Sequence, residues 1–219
     1  MSFKNHQELD FHSKYHLFWN QEEDGVTMEV QVETHGWVGL GFSSNGGMTG
    51  ADIFLGWIKD DGSTIYHDRH AITKDTPIID AIQNYKFLGG LENETHTVLR
   101  FSRVWNTCDE DEDFNIEEGT THLIWAFNND DPLDDILSYG SYHGTENRGT
   151  KPLVLRGPAE VPFVQTPDMK TWDLTRKDYT IPPFKTTYQC EMFKVPQEMR
   201  EKKHHMVAVS HLCTIFINK

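Results

Sequence analysis

Residues 36–58, GWVGLGFSSNGGMTGADIFLGWI, decide the fold class of this chain. Residues 37–42 alternate bulky side chains with glycine, which predicts a strand with one face in a core and a backbone or ligand close to the other face. Residues 53–58 are apolar again and are followed by an Asp61-Gly62 turn, so they predict a hairpin with a strand that begins at Thr64. The Gly-rich loop between the two apolar runs is typical of a loop that binds a ligand.

Short strand candidates recur on both sides of this centre at the spacing of about 8–12 residues that is typical of sandwiches and barrels. Helical periodicity is confined to residues 131–139. The chain is therefore predicted to be all-β, an immunoglobulin-like β-sandwich of two sheets, because so many short strands cannot otherwise bury one face. The candidates are residues 16–19, 26–34, 38–42, 52–57, 64–68, 85–91, 95–103, 122–127 and 151–155.

Composition excludes several classes of function. The 219 residues carry a formal charge of -14, which argues against a nucleic-acid partner. The acidic run 109–113 is expected to be a solvated loop rather than a cation site. We find no apolar run long enough to span a membrane and no signal peptide in the sequence given. Asn93 begins an Asn-Glu-Thr glycosylation sequon, the one feature that favours a secreted protein at this point.

Prolines and the loss of periodicity mark a domain boundary after residue 157. We predict one domain over 9–157, a linker over 158–180, and a short, incomplete β appendage over 181–219 that is too small to enclose a core. Three cysteines, Cys108, Cys190 and Cys213, form an odd set, so at least one lacks an internal disulfide partner.

Several motifs occur in an order that resembles a known family. They are residues 36–58, the segment NTCDEDEDFNIEEGTTHLIWAF, YHGTENRG, and IPPFKTTYQCEMFKVP followed by KKHHMVAV. Together they resemble the amino-terminal half of the DBH-like monooxygenases, relatives of dopamine β-monooxygenase. Residues 9–157 are similar to the DOMON domain of that family, and 181–219 resemble the truncated start of its copper type II hydroxylase domain.

The resemblance implies copper- and ascorbate-dependent hydroxylation, with a phenolic or catechol-type amine as the substrate, and a place in the secretory pathway or outside the cell. The string His204-His205-Met206 corresponds to a family His pair that precedes the copper motif, so the matching copper ligands are absent from this chain. We therefore expect a DOMON fragment without catalysis and assign no catalytic residue. A stray transition metal held by His204, His205, His211 and Cys213 is the disfavoured alternative.

The family's disulfides imply a further expectation. The cysteine that matches Cys190 pairs within the hydroxylase domain, and the one that matches Cys108 pairs with a distant carboxy-terminal cysteine. Both are therefore expected to lack their partners here.

Haem is one cofactor to weigh, because some DOMON proteins are cytochromes. Met48 lies where haem-binding DOMON domains carry their Met, and His143 lies near the last strand. A Met/His axial pair raises the potential of haem and suits electron transfer. The alternative, which the sequence favours, is a gap-filling Met and a hydrogen-bonded turn His, and we then expect no haem.

A hard cation is the second candidate. The DOMON domain of dopamine β-monooxygenase has a small metal site, which carries over to Asp52, the carbonyls of Ile53 and His70, and the side chain of Asn84. The amide of Asn84 replaces a carboxylate there, which should weaken Ca²⁺ binding. An equally weighted alternative is that Asp52 satisfies buried backbone amides at the start of its strand.

A binding module is the third reading. A small-molecule or protein ligand would contact exposed aromatic side chains such as Trp172, or the Gly46-Gly47 loop.

Overall fold

The structure is a computed structural model that describes residues 2–133, 137, 141–157, 167, 169–174 and 192–203. The chain divides into two units, Met1–Ala159 and Glu160–Lys219. In the described part of the second unit, a 3-10 turn spans Gln197–Met199 and Lys170 Nζ lies 3.2 Å from Glu198 Oε2. The predicted bounds 9–157, 158–180 and 181–219 stay predictions. Residues 192–203 contain no strand, and the rest of the predicted β appendage lies outside the described residues.

The first unit consists of two antiparallel sheets, which confirms the predicted all-β sandwich. One sheet has five strands in the order β1-β2-β3-β9-β8, and the other has six in the order β11-β10-β4-β5-β6-β7. The strands are β1 Asn5–Glu8, β2 Tyr15–Gln21, β3 Gly25–Val32, β4 Val38–Ser43, β5 Asp52–Ile58, β6 Thr64–His70, β7 Ile78–Ile79, β8 Lys86–Glu92, β9 Thr97–Val104, β10 Gly119–Phe127 and β11 Arg148–Arg156.

The main core lies between the two sheets, where every second side chain of each strand points inward. Phe42 of β4 and Leu123 of β10 are fully buried there, opposite Met28 of β3. Phe54 of β5 stacks on Phe101 of β9 with ring centroids 3.7 Å apart. This contact joins the two sheets near their middle.

A second apolar cluster covers the outer face of the six-stranded sheet. Ile53, Leu55 and Trp57 alternate with Phe54 along β5, so they point away from the main core, and they pack with Trp37 on this outer face. All residues of β4 and β5 are consequently buried. Both faces of this sheet are therefore apolar, and a ligand site can form between the outer face and the segments that pack over it.

The predicted hairpin between β5 and β6 is confirmed. Gly62 N donates to Lys59 O at 2.7 Å, and Lys59 N donates to Ser63 O at 2.9 Å. Gly62 has φ of 82°, a conformation that glycine adopts without steric cost. The turn therefore sets the register in which Asp52 faces His70 across β5 and β6.

Two short strands were not predicted. β1 reads NHQE and β7 has only two residues, so neither carries an apolar alternation that would identify it from the sequence. They become strands by pairing with the edges of β2 and β6. The predicted helical stretch 131–139 lies largely outside the described residues, and within the described ones no helix is long and apolar enough to cross a membrane.

Replacing Phe101 by alanine should lower the free energy of unfolding by about 3–5 kcal/mol, because the change leaves a cavity at the contact between the sheets. Urea denaturation of the full chain measures the loss. Leu91→Ala is the control, since Leu91 is 54% exposed on β8 and its truncation should cost less than about 0.5 kcal/mol. Equal losses in the two variants would contradict a core centred on Phe101.

Candidate functional site

A cavity of about 840 Å³ lies on the outer face of the six-stranded sheet. Its floor includes Ile53 and Leu55 of β5 and Gly39 and Gly41 of β4. A Cβ atom added at Gly39 would lie at least 3.5 Å from its neighbours, the nearest being the Trp37 ring, so there is space for a side chain at this position. Because glycine has no side chain, that space stays part of the cavity. The volume and the apolar floor are those of a small-molecule site.

The Gly-rich loop places Met48 at one wall of this cavity. Ala51 N donates to Met48 O at 3.0 Å, and Gly50 N donates to Ala71 O at 2.6 Å, so backbone bonds close the loop. Gly46 has φ of 76°, and a Cβ there would lie 2.8 Å from Thr150 Oγ1. The loop needs glycine at that position to pack against β11, and Met48 is thereby held half-buried against the outer cluster.

A second wall is formed by the segment that carries His143. Trp37 Nε1 donates to Ser141 O at 2.9 Å, and Asn128 Nδ2 donates to Tyr142 O at 2.9 Å. The rings of Trp37 and His143 meet edge to face with centroids 6.3 Å apart. These contacts hold His143 in the wall, so the structure brings Met48 and His143 to one cavity.

The protonation of His143 follows from its surroundings. Nδ1 lies 2.6 Å from Gly144 O, and because a carbonyl can only accept, Nδ1 carries the hydrogen and Nε2 keeps its lone pair. Burial lowers the pKa of His143 against the opposing effect of the hydrogen bond to Gly144, and the charge of Arg148 lowers it further. A neutral imidazole whose other nitrogen donates to a carbonyl is the form that binds metals.

Two cationic side chains, Lys74 and Arg148, and one carboxylate, Asp75, also line the cavity, so its charged lining is cationic on balance. This balance makes the cavity suitable for a ligand that is mostly apolar and carries carboxylates at its edge.

A buried carboxylate cluster lies on the inner side of the same sheet. Asp52, at the start of β5, forms an ion pair with Arg103 at 2.7 Å, and both side chains are buried. Asp52 Oδ1 accepts from Tyr85 OH at 2.7 Å, and Oδ2 accepts from Phe114 N at 2.9 Å. Burial raises the pKa of Asp52 to about 6, against the opposing effect of Arg103.

Asp68 and Asp113 complete this cluster, since one carboxylate oxygen from each lies within 4.8 Å of one from Asp52. Burial, with the neighbouring charge of Asp52, raises the pKa of Asp68 to about 9. The Asp113 side chain is only 1% exposed, so the expectation of a solvated acidic loop is wrong for this residue. Three carboxylates here face the single guanidinium of Arg103.

The residues predicted for a cation site fall around this cluster. Asn84 N donates to Asp68 Oδ2 at 2.9 Å, and Asn84 Nδ2 donates to Asp113 Oδ2 at 2.5 Å. His70 is the strand partner of Asp52, and the Ile53 side chain lies on the opposite, outer face. The calcium assignment to Asp52, Ile53, His70 and Asn84 stays a prediction.

Sequence reasoning missed Asp68, Arg103 and Asp113. One signal for Arg103 was available, because it shares the alternation of the inward-facing Leu99 and Phe101 on β9. The pairing of Asp68 with Asp113 had no such signal, since the two residues are 45 positions apart in the chain and meet only in the fold.

The candidates for glycosylation and disulfide bonding, and the exposed aromatic candidate for ligand contact, are not among the described residues that line the cavity or form the carboxylate cluster. Asn93 is exposed in the connection between β8 and β9, and its Oδ1 accepts from Thr95 N and His96 N, each at 2.9 Å. Cys108 is exposed and forms no disulfide with any described residue. Trp172 is 37% exposed in the second unit. Several candidates lie outside the described residues, namely Cys190, His204, His205, Met206, His211 and Cys213.

Comparison with known families gives a match to the DOMON domain over residues 11–128, which is more than half of the chain. The chain belongs to the DOMON domain family. DBH-like monooxygenase protein 1 of Gallus gallus is 38% identical over 205 residues, covering 93% of this chain and 32% of that protein. The Homo sapiens protein of the same name is 36% identical over 201 residues, covering 92% of this chain and 31% of its own length.

These identities, together with the DOMON match, make the chain a DBH-like family member that contains a DOMON domain. It spans about a third of the length of these relatives.

The DOMON domain shares its fold with a solved structure. The cytochrome domain of Myriococcum thermophilum cellobiose dehydrogenase superposes with a TM-score of 0.50 at 16% sequence identity, covering 65% of this chain and 75% of that one. At this identity the likeness extends to the β-sandwich alone.

Asp68→Asn should stabilise the DOMON domain at pH 8. The pKa of Asp68 is about 9 in the folded state against 3.8 ordinarily, so the folded state binds a proton that the unfolded state has lost. Between these values stability falls as pH rises, and an uncharged amide removes the penalty.

Urea midpoints measured from pH 4 to pH 8 test this prediction. The advantage of the variant should grow with pH, whereas Asp60→Asn, at an exposed position, should leave the profile unchanged. Parallel profiles for Asp68→Asn and the unmodified chain would contradict a protonated Asp68.

Proposed function

We propose that the DOMON domain of this DBH-like family member binds haem in its outer-face cavity, with Met48 and His143 as the axial ligands. The observation that carries the proposal is that both side chains line one cavity, and that His143 has its Nε2 lone pair available. Bound haem held by a Met and a His supplies one-electron transfer at a raised potential. The sequence favoured structural roles for Met48 and His143 because it could not show whether the two residues are close together. That both line one cavity is the additional support for haem binding.

The other features of the cavity fit the same ligand. Its volume of about 840 Å³ lies within the range of cofactor sites, roughly 300–1,000 Å³. The open floor at Gly39 suits a flat, apolar ring, and Lys74 and Arg148 suit the ring's carboxylates. The hydrogen bond from His143 Nδ1 to Gly144 O fixes which nitrogen would ligate iron.

We further propose that the family reaction belongs to the longer proteins and that this chain does not perform it alone. That reaction is the copper- and ascorbate-dependent hydroxylation of a phenolic or catechol-type amine. In support, the relatives named monooxygenases are about three times as long as the matched region. The DOMON domain then serves as a binding or electron-transfer module.

Adding haem to the purified chain should produce a Soret band with a stoichiometry of one. Met48→Ala and His143→Ala should each weaken binding by at least about tenfold, because each removes an axial ligand. Gly39→Leu should also weaken it, since the new side chain fills the floor without a backbone clash. Absorption spectroscopy and competition with apomyoglobin measure the affinity.

Met192→Ala and His96→Ala serve as matched controls, because both residues are exposed and neither lines the cavity. Iron-free protoporphyrin separates the two parts of the proposal. If haem and protoporphyrin bind equally and neither depends on Met48 or His143, the cavity binds flat apolar molecules and axial ligation is wrong. If no Soret band forms, the haem proposal fails as a whole.

We also propose that the chain enters the secretory pathway and is glycosylated at Asn93. The side chain lies in an exposed connection, where a glycosyl transferase can reach it. Expression behind a secretion signal should give a protein whose gel mobility increases on glycosidase treatment. Asn93→Gln and Thr95→Ala should abolish that shift, and Asn106→Gln should not. A shift that survives both sequon variants would refute Asn93 as the site.

A further inference from the structure

A third group of side chains lies at the edge of the six-stranded sheet, and it belongs to neither site described so far. We call it the edge triad: His70 at the end of β6, Asp80 directly after β7, and Glu112 in the acidic loop. One ligand-capable atom from each lies within 4.8 Å of the other two. His70 Nδ1 is 2.6 Å from Asp80 Oδ1 and 3.8 Å from Glu112 Oε1.

Backbone hydrogen bonds hold the two carboxylates of the triad in place. The Asp80 side chain is fully buried, and Asp80 N donates to Asp68 O at 3.0 Å, which anchors its backbone to β6. Glu112 Oε2 accepts from Ala81 N at 3.0 Å, and Oε1 remains on the side of His70. The geometry is therefore pre-organised by backbone contacts rather than by the imidazole alone.

The Asp80 carboxylate is incompletely satisfied. Its Oδ2 is buried and accepts no hydrogen bond from an N–H or hydroxyl group of the described residues. A buried carboxylate oxygen without a donor is costly, and coordination to a cation is one of the few ways to offset that cost.

The ion pair of Asp80 is with His70, and neither Arg103 nor Arg69 forms a second one with it. Arg103 is committed to Asp52, and Arg69 directs Nη1 to Pro77 O at 2.8 Å and Nη2 to His67 Nδ1 at 3.3 Å. Asp68, on the inner side of Asp80, also has a buried oxygen, Oδ1, that accepts no hydrogen bond from an N–H or hydroxyl group of the described residues. The raised pKa of Asp68 keeps its carboxyl neutral, so it can donate a hydrogen bond to Asp80, and the His70 imidazole pairs with Asp80 on the other side.

We propose that the edge triad binds a divalent transition metal of the Zn²⁺ type through His70 Nδ1 and the carboxylates of Asp80 and Glu112. The metal binds the neutral imidazole with its hydrogen on Nε2, so an imidazolium form releases its Nδ1 proton to solvent, whereas a neutral form moves its hydrogen from Nδ1 to Nε2. The charge of the metal neutralises the two carboxylates. A mixed set of one nitrogen and two oxygens suits Zn²⁺, whereas Ca²⁺ and Mg²⁺ require oxygen ligands throughout. His70 and Glu112 are 16% and 26% exposed, so the metal can enter and keep a water ligand.

This site differs from the predicted calcium site in both atoms and location. The calcium prediction used the backbone carbonyl of His70 with Asp52, whereas the edge triad uses the His70 ring with two side chains that the earlier set lacks. The proposal is independent of haem binding, because none of the three residues lines the cavity.

Zn²⁺ titration of the full chain against a chromophoric chelator tests the proposal. Glu112→Gln and His70→Ala should each weaken one Zn²⁺ site by at least about tenfold. Glu112→Gln is expected to fold, since the amide oxygen can still accept from Ala81 N. Matched controls are Glu110→Gln, from the same acidic loop, and His96→Ala, which should both bind as the unmodified chain does. Far-UV circular dichroism checks that each variant is folded.

Imidazole ¹⁵N resonances of His70 identify the atom that binds. At saturating Zn²⁺ the Nδ1 resonance should move to the position of a coordinated nitrogen, and ten equivalents of Ca²⁺ or Mg²⁺ should leave it in place. Two results would overturn the proposal: Zn²⁺ affinity that is equal in both triad variants and their controls, or His70 resonances that do not move at saturation. A response to Ca²⁺ as large as that to Zn²⁺ would overturn the choice of metal.

Discussion

The ion pair between Asp52 and Arg103 is the interaction on which the rest of the DOMON domain depends. Asp52 begins β5 of the six-stranded sheet and Arg103 lies near the end of β9 in the five-stranded sheet, so the pair ties the two sheets together inside the core. Arg103 also lies over the rings of Phe42 and Tyr85. Removing Arg103 would leave the buried carboxylates of Asp52 and Asp113 without their cation, a far larger cost than loss of a surface pair.

The position of Asp52 also determines the outer face of its sheet. Ala51 O accepts from Ala71 N at 2.9 Å and Ala51 N donates to Met48 O at 3.0 Å, so the loop with Met48 ends one residue before Asp52. Alternation along β5 then turns Asp52 inward and Ile53 outward. One strand thus presents a carboxylate to the polar cluster on one face and an apolar floor to the cavity on the other.

Much of the fold was predictable, because it follows from local chemistry. Alternating apolar residues located the long strands, and the Asp61-Gly62 turn located the hairpin between β5 and β6. The short edge strands β1 and β7 were missed, since their sequences carry no alternation and they exist only by pairing with a neighbour. Of the candidate site residues, the sequence named Met48 in the Gly-rich loop and His143 near the last strand as a possible haem pair, and only the structure showed that both line one cavity.

Side-chain period, glycine placement and motif order are properties of neighbouring residues, so the sandwich, its main turns and the family could be predicted from the sequence. The roles of the polar groups depend on the tertiary fold. It gathered Asp52, Asp68 and Asp113 around Arg103, and it brought His70, Asp80 and Glu112 to one edge. These groups are separated by ten to more than forty positions, and burial raises the pKa of a carboxyl only once the fold has removed its water.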